Sequence, residues 1–171
     1  MAAIRAERDL PQSEPKLRRF NLRRDLEMVL DFQFEVYETN FPGFRVDQSF
    51  RDDYTRDIRR AAGDPTEMMM VLEQDGHVCG FIWGSIMATL VDARVGYIKN
   101  VYLAPHLRGS GQAERLMEMM EDWFWDQGVE KIMLDASMVN DRAVGFYQKV
   151  GYDIERVRMV KRPEGADTDR W

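Results

Sequence analysis

The sequence predicts a mixed α/β (α+β) domain: a mostly antiparallel, twisted sheet of six to seven strands with about four helices. Three observations carry this. Two amphipathic helical stretches come early. Three strand-like segments joined by short turns follow between Glu67 and Leu103. Last, a strand, a glycine turn, a long amphipathic helix and another strand make a crossover unit, which sets its two strands parallel and adjacent.

In order, residues 1–15 are polar, hold Pro11 and Pro15 and show no periodicity, so they read as a flexible leader. Lys16 to Leu22 reads as a first strand. Its basic neighbours Lys16, Arg18, Arg19, Arg23 and Arg24 read as a solvated face ahead of the alternative, contact with an anionic ligand. Asp25 is placed to cap a helix to about Glu38, with Leu26, Val29, Leu30, Phe34 and Tyr37 on one face. The turn Asn40-Phe41-Pro42-Gly43-Phe44 carries two aromatics that either wall a pocket or plug the edge of the core. A second helix, from about Gln48 to Ala62, places Phe50, Tyr54 and Ile58 on one face. Strands are expected over Glu67–Glu73, His77–Leu90 and Val95–Leu103. Asp75-Gly76 makes the first hairpin turn, and Gly80 and Gly84 mark bends or a bulge.

The helix after the glycine turn covers about Gln112 to Gln127, with Ala113, Leu116, Met117, Met120 and Phe124 as its apolar stripe and Gly128 as its C′ residue. A strand from Lys131 to Met138 follows. Asn140 caps a short helix ending near Lys149, and Tyr152 to Lys161 supplies one or two final strands. One domain over residues 16–162 is expected, with a polar tail over 163–171.

Composition narrows the function. The chain has 171 residues and a net charge of −6, which disfavours nucleic acid and anionic membrane as partners and suits an amine-bearing one. A single cysteine, Cys79, excludes an intrachain disulfide and reads as a small core residue. No apolar run is long enough to span a bilayer, and no signal peptide is visible, so a cytoplasmic setting is expected. No His/Cys/Asp cluster has metal-ligand spacing, so no metal is expected.

The chemistry concentrates between Val101 and Ala113. A strand breaks at Pro105, turns through Arg108-Gly109-Ser110-Gly111 and feeds a helix whose first amides lack partners. Two glycines allow close backbone approach, and with Arg108 the turn reads as an anion cradle for phosphate or as a plain corner. It is neither a P-loop, since Gln112-Ala113 follow Gly111, nor a dinucleotide fingerprint, since Glu114 stands where a third glycine is needed. What fits is Arg-x-x-Gly-x-Ala over 108–113, followed by Asn140-x-x-Ala143-x-x-Phe146-Tyr147-x-Lys149-x-Gly151-Tyr152.

Together the two blocks resemble the GNAT N-acetyltransferase family over about Met68 to Lys161. The resemblance implies a central parallel strand pair splayed around the arm of acetyl-CoA, with backbone groups of Val101 and Leu103 bonding that arm and the acetyl carbonyl. It implies that the amides of Gly109, Ser110, Gly111, Gln112 and Ala113, with Arg108, hold the pyrophosphate, and that Asn140 bonds the arm from the other side. Direct acyl transfer to a primary amine follows, on a small molecule or on a protein or peptide, with acetyl or a larger acyl group. The alternative is a non-catalytic acyl-CoA-binding module.

Tyr147 stands at the family's proton-donor position, although a Phe-Tyr pair alone reads as packing. Asp135 lies twelve residues before Tyr147, a spacing similar to that of the proposed base of bacterial ribosomal-protein N-terminal alanine acetyltransferases. It reads equally as a carboxylate paired with Lys or Arg, or simply solvated. Glu35, Glu38, Asn100 acting through a water, and His106 are further candidates for the base. A homodimer through the edge near Tyr152 to Val160 is left open.

Overall fold

The computed structural model describes residues 13–41, 43–161 and 163. Its strands are β1 (Lys16–Arg19), β2 (Glu67–Gln74), β3 (His77–Met87), β4 (Val95–Leu103) and β5 (Lys131–Leu134); its α-helices are α1 (Leu22–Asn40), α2 (Gln48–Ala61), α3 (Gln112–Asp126) and α4 (Asp141–Lys149). One sheet holds them in the order β1-β2-β3-β4-β5, antiparallel throughout except for the parallel pair β4–β5. The expected meander and crossover are both present. Pro42 of the expected turn, residues 1–12 of the expected leader, residue 162 at the expected end of the domain and residues 164–171 of the expected tail lie outside the described residues.

Two apolar cores lie on the two faces of the sheet, giving three layers. On one face Val29, Leu30 and Phe34 of α1 and Tyr54 and Ile58 of α2 close over Met69, Val71, Phe81, Trp83 and Tyr102. On the other, Leu116, Met117, Met120 and Phe124 of α3 cover Met68, Leu72, Ile82, Ile98 and the buried Cys79. Gly84 and Gly96 allow that second contact: a Cβ at Gly96 would lie 2.7 Å from the Phe124 ring, and one at Gly84 2.6 Å from Met120 Sδ. Their missing side chains let α3 sit directly on β3 and β4. Asp75 and Gly76 both have positive φ, 51° and 82°, the backbone of a type I′ hairpin turn.

Several expected details differ. The cap of α1 is Asn21, whose side chain accepts from the Arg23 and Arg24 amides, each at 3.1 Å. Asp25 lies one turn inside the helix, where it is fully buried. There it accepts the Asn21 amide at 2.7 Å and both terminal nitrogens of Arg18 at 2.7 and 2.8 Å. Arg18 is therefore no solvated side chain; it also reaches Glu73 at 2.7 Å and locks β1, α1 and β2 together.

The C-terminal expectation fails as well. β5 stops at Leu134, because the chain turns there toward the Asn140 cap, with the Asn140 amide on Ser137 O at 2.9 Å. No strand occurs among residues 152–161. Those past Tyr152 are exposed, and the segment passes β5 through the Lys131–Glu155 pair at 3.6 Å rather than through ladder hydrogen bonds. The sheet consequently has five strands among the described residues, not six or seven.

Burial opposes the charge on Asp25, but the Arg18 guanidinium and the Asn21 amide more than offset it, and the carboxyl is held below its ordinary value. Removing that charge leaves Glu73 as the one carboxylate partner of Arg18 among the described residues, so Asp25→Asn is expected to lower the unfolding free energy by about 2 kcal/mol in urea titrations. In the unmodified protein this contribution is complete above about pH 4 and disappears as pH falls through the depressed value of Asp25. A pH series of unfolding midpoints, compared with the variant, reads it directly.

Candidate active site

The parallel pairing of β4 with β5 ends at Ile98–Leu134, yet β4 continues to Leu103. A bulge lies at the same place: Asn100 pairs with Trp83 and Ile98 with Gly84, which leaves Lys99 as an extra residue. Beyond it, β4 is bonded to β3 alone. Ala104 donates to Cys79 O on β3 at 2.8 Å. Backbone groups alternate in direction along a strand, so Tyr102 also faces β3, whereas the N–H and C=O of Val101 and Leu103 face the edge that β5 has left. This open edge is the predicted splay.

The turn beside it carries free donors. Gly109 and Gly111 have φ of 79° and 84°, the left-handed region that favours glycine. A Cβ on either would meet nothing within 4 Å, so the space above the turn is open. The amides of Gly109, Gly111, Gln112 and Ala113 have no hydrogen-bond partner among the described residues, and they point from the N-terminus of α3. Ser110 differs from them, because its amide and hydroxyl both bond Leu107 O, at 3.3 and 2.5 Å. Arg108 folds its Nε onto Leu103 O at 3.0 Å, leaving the other guanidinium N–H groups unpaired among the described residues. Strand edge and turn are thus joined by Arg108 into one surface of donors.

The opposite wall comes from β5 and α4. Asp135, the first residue past β5, accepts the Tyr97 hydroxyl at 2.9 Å. Its partner is thus a phenol, rather than Lys or Arg. Burial and this bond push the Tyr97 hydroxyl up to about 12. Asn140 caps α4 through Oδ1 on the Ala143 amide at 3.1 Å and donates Nδ2 to Asn40 Oδ1 at 3.2 Å, tying the end of α1 to the β5–α4 loop. Tyr147 packs between Phe146 and Tyr152 over the α3 core. Burial raises its hydroxyl above the usual phenol range, and that hydroxyl has no hydrogen-bond partner among the described residues.

The model of the acetyltransferase (GNAT) family matches residues 30–152, which is most of the chain. The chain belongs to the GNAT acetyltransferase family. An uncharacterized N-acetyltransferase of Mycobacterium bovis is 30% identical over 98 residues, 57% of this chain and 60% of that protein, so the match spans only part of the relative's length. Among solved structures, aminoglycoside N-acetyltransferase AAC(6′)-Iy in complex with CoA superimposes with a TM-score of 0.70 at 19% identity, over 91% of this chain and 99% of that one. Glucosamine-6-phosphate N-acetyltransferase from Arabidopsis thaliana gives 0.65 at 20%, over 88% and 99%. At those identities the likeness speaks for the fold.

Within this GNAT chain, two features escaped the sequence reading. Tyr97 faces Asp135 across the β4–β5 pair, which strand alternation alone does not single out. On the α1–α2 side, Asn100 Nδ2 donates to the Tyr54 hydroxyl at 2.8 Å, which donates to Gln33 Oε1 at 3.0 Å. Gln33 did leave a signal, since it occupies a core position of the α1 stripe at i+3 from Leu30 and i+4 from Val29. Of the other base candidates, Glu35 accepts the Tyr102 hydroxyl at 3.0 Å, Glu38 accepts the Val46 amide at 3.2 Å, and exposed His106 meets Gln74 at 3.1 Å. Phe41 is exposed and stacks on Tyr37, whereas Phe44 packs on Phe50 at the edge of the α1–α2 core.

The glycines of the turn are required by backbone conformation alone. Gly111→Ala and Gly109→Ala should each therefore cost about 1 kcal/mol in chemical denaturation, although the added methyl touches nothing. Unchanged midpoints would contradict the left-handed geometry.

Proposed function

We propose that this GNAT-family protein transfers an acetyl group from acetyl-CoA to a primary amine, most simply that of a small, cationic molecule. The observation that carries this reading is the open edge of β4 running into four free amides and a half-free guanidinium. Such a surface suits a ligand with a carbonyl at one end and a diphosphate at the other. The named activities of the two solved relatives, on an aminoglycoside and on glucosamine 6-phosphate, support an amine acceptor. The net charge of −6 favours a cationic one.

Acetyl-CoA supplies an activated thioester carbonyl; the chain supplies the rest. Gly109, Gly111, Gln112 and Ala113 donate their amides to the diphosphate, with Arg108 beside them. Val101 and Leu103 offer backbone groups to the arm, and the Val101 N–H polarises the thioester oxygen and stabilises the charge that develops there. Asn140 reaches the arm by exchanging its bond to Asn40 for one to the ligand.

Asp135 keeps one oxygen on Tyr97 and has the other free to take the proton of the incoming ammonium, directly or through a water. As the amine nitrogen bonds the carbonyl carbon, the carbon–sulfur bond breaks and Tyr147 gives its hydroxyl proton to the departing sulfur; the nitrogen then sheds its remaining extra proton through water to the Tyr147 phenolate, which leaves a neutral amide and a free thiol. Burial keeps that phenol protonated throughout the neutral range, as a donor must be.

The test is release of free thiol from acetyl-CoA in the presence of amines, in the unmodified protein and in Tyr147→Phe. The expected outcome is a roughly 100-fold lower kcat in the variant with unchanged acetyl-CoA affinity. Equal rates would remove Tyr147 from the chemistry. Tight coenzyme binding without release for any amine would indicate a binding module instead.

A further inference from the structure

We propose that Asn100 holds the N–H of the incoming amine through its side-chain oxygen, and that Tyr54 and Gln33 are positioning residues that fix the direction of that amide. The proposal rests on the acetyl-transfer reading above and adds to it the group that meets the acceptor.

Gln33 is fully buried in the α1 stripe, and its Nε2 has no partner among the described residues. An orphaned donor of this kind lowers stability, so this residue is not explained by packing. Its Oε1 does have a partner, the Tyr54 hydroxyl at 3.0 Å. A phenol has a single proton. With that proton directed to Gln33, the Tyr54 oxygen can only accept from its other neighbour, and Asn100 must present Nδ2 to it, at 2.8 Å. The Asn100 amide is thereby turned with Oδ1 away from Tyr54. That oxygen accepts no hydrogen bond among the described residues and is not sealed from solvent. Burial raises the Tyr54 hydroxyl far above the ordinary phenol value, so the relay stays neutral and keeps its direction across the working range of pH.

The place is the right one for an acceptor. Asn100 stands between the Lys99 bulge and Val101, just past the last β4–β5 pair, on the sheet face opposite α3. Its charged and polar neighbours are already committed. Lys99 is bound to Glu67 at 2.7 Å and sits 4.4 Å over the Trp83 ring, Trp83 Nε1 donates to Glu67 at 2.6 Å, and the Tyr102 hydroxyl is on Glu35. Asn100 Oδ1 remains as the open acceptor beside the edge. A neutral acceptor suits this step, because it binds an amine N–H without favouring the ammonium form as a carboxylate does, and only the neutral amine has a lone pair for attack.

The experiment measures thiol release from acetyl-CoA with four amines: glucosamine 6-phosphate, an aminoglycoside, spermidine and a peptide with a free N-terminal alanine. Tyr54→Phe removes the relay. Gln33→Met removes its anchor, letting the Tyr54 proton swing to Asn100 Oδ1 and turning a donor outward. Both variants are expected to raise the amine KM roughly tenfold, with kcat changing less and the acetyl-CoA KM unchanged. Asn100→Asp should move the acidic limb of the kcat–pH profile upward, because a carboxylate holds the ammonium form.

An unchanged amine KM in both Tyr54→Phe and Gln33→Met overturns the proposal. If no amine releases thiol, the acetyl-transfer reading fails instead, and the relay is decided separately by nuclear magnetic resonance. The Asn100 side-chain amide protons should exchange slowly in the unmodified protein and rapidly in Tyr54→Phe; equal exchange in the two overturns it.

Discussion

The fold turns on one broken partnership: β5 leaves β4 after Leu134, while β4 runs on to Leu103. A strand edge inside a sheet normally finds a neighbour, because unpaired backbone groups are costly when buried. Here the Val101 and Leu103 groups are left facing a gap, and the bulge at Lys99 sits where the gap opens. Bulges re-aim side chains and end pairing, and they gather at functional sites for that reason. The glycine turn, the Arg108 bridge to Leu103 O and the Asp135–Tyr97 pair are all arranged around this gap.

The two faces of the sheet divide the labour. On one, Gly84 and Gly96 admit Met120 and Phe124, so α3 presses directly on β3 and β4 and its N-terminus is held rigidly beside the open edge. Lys149 adds a tie from α4 to Glu114 in the first turn of α3, at 2.8 Å. On the other face, α1 is fixed by the half-buried Arg18–Asp25 pair, and α1 and α2 by the aromatic cluster of Tyr37, Phe50, Tyr54 and Trp83. The Asn100–Tyr54–Gln33 chain of hydrogen bonds lies on this second face. The two layers share β4, and the Asn140–Asn40 bond ties the end of α1 to the β5–α4 loop as well.

Much of this was legible in the sequence, for reasons that can be named. Helical and strand periodicities depend on local apolar spacing, so α1 to α4 and β2 to β5 were located to within a few residues. The turn was legible as a turn because Gly109 and Gly111 punctuate the chain between a strand and a helix, whereas those residues alone leave a cradle and a plain corner equally open. Long-range partners were not legible. Asn21 rather than Asp25 caps α1, because Arg18, seven residues before Asp25, draws that carboxylate inward. Gln33 sits in an apolar stripe as a visible anomaly, yet its meaning depends on Tyr54 and Asn100, 21 and 67 positions away in sequence. The strands expected over Tyr152 to Lys161 do not form: a strand needs an accepting edge, and among the described residues the chain past Tyr152 meets β5 through a side-chain ion pair rather than a ladder.

Amide hydrogen exchange with and without acetyl-CoA tests the central claim most directly, since it reads the backbone groups themselves. The account predicts that Val101, Leu103, Gly109, Gly111, Gln112 and Ala113 gain protection together when acetyl-CoA is added, while the β1 and β2 amides do not change. Unaltered exchange at those six positions, or protection confined to another part of the sheet, would contradict it.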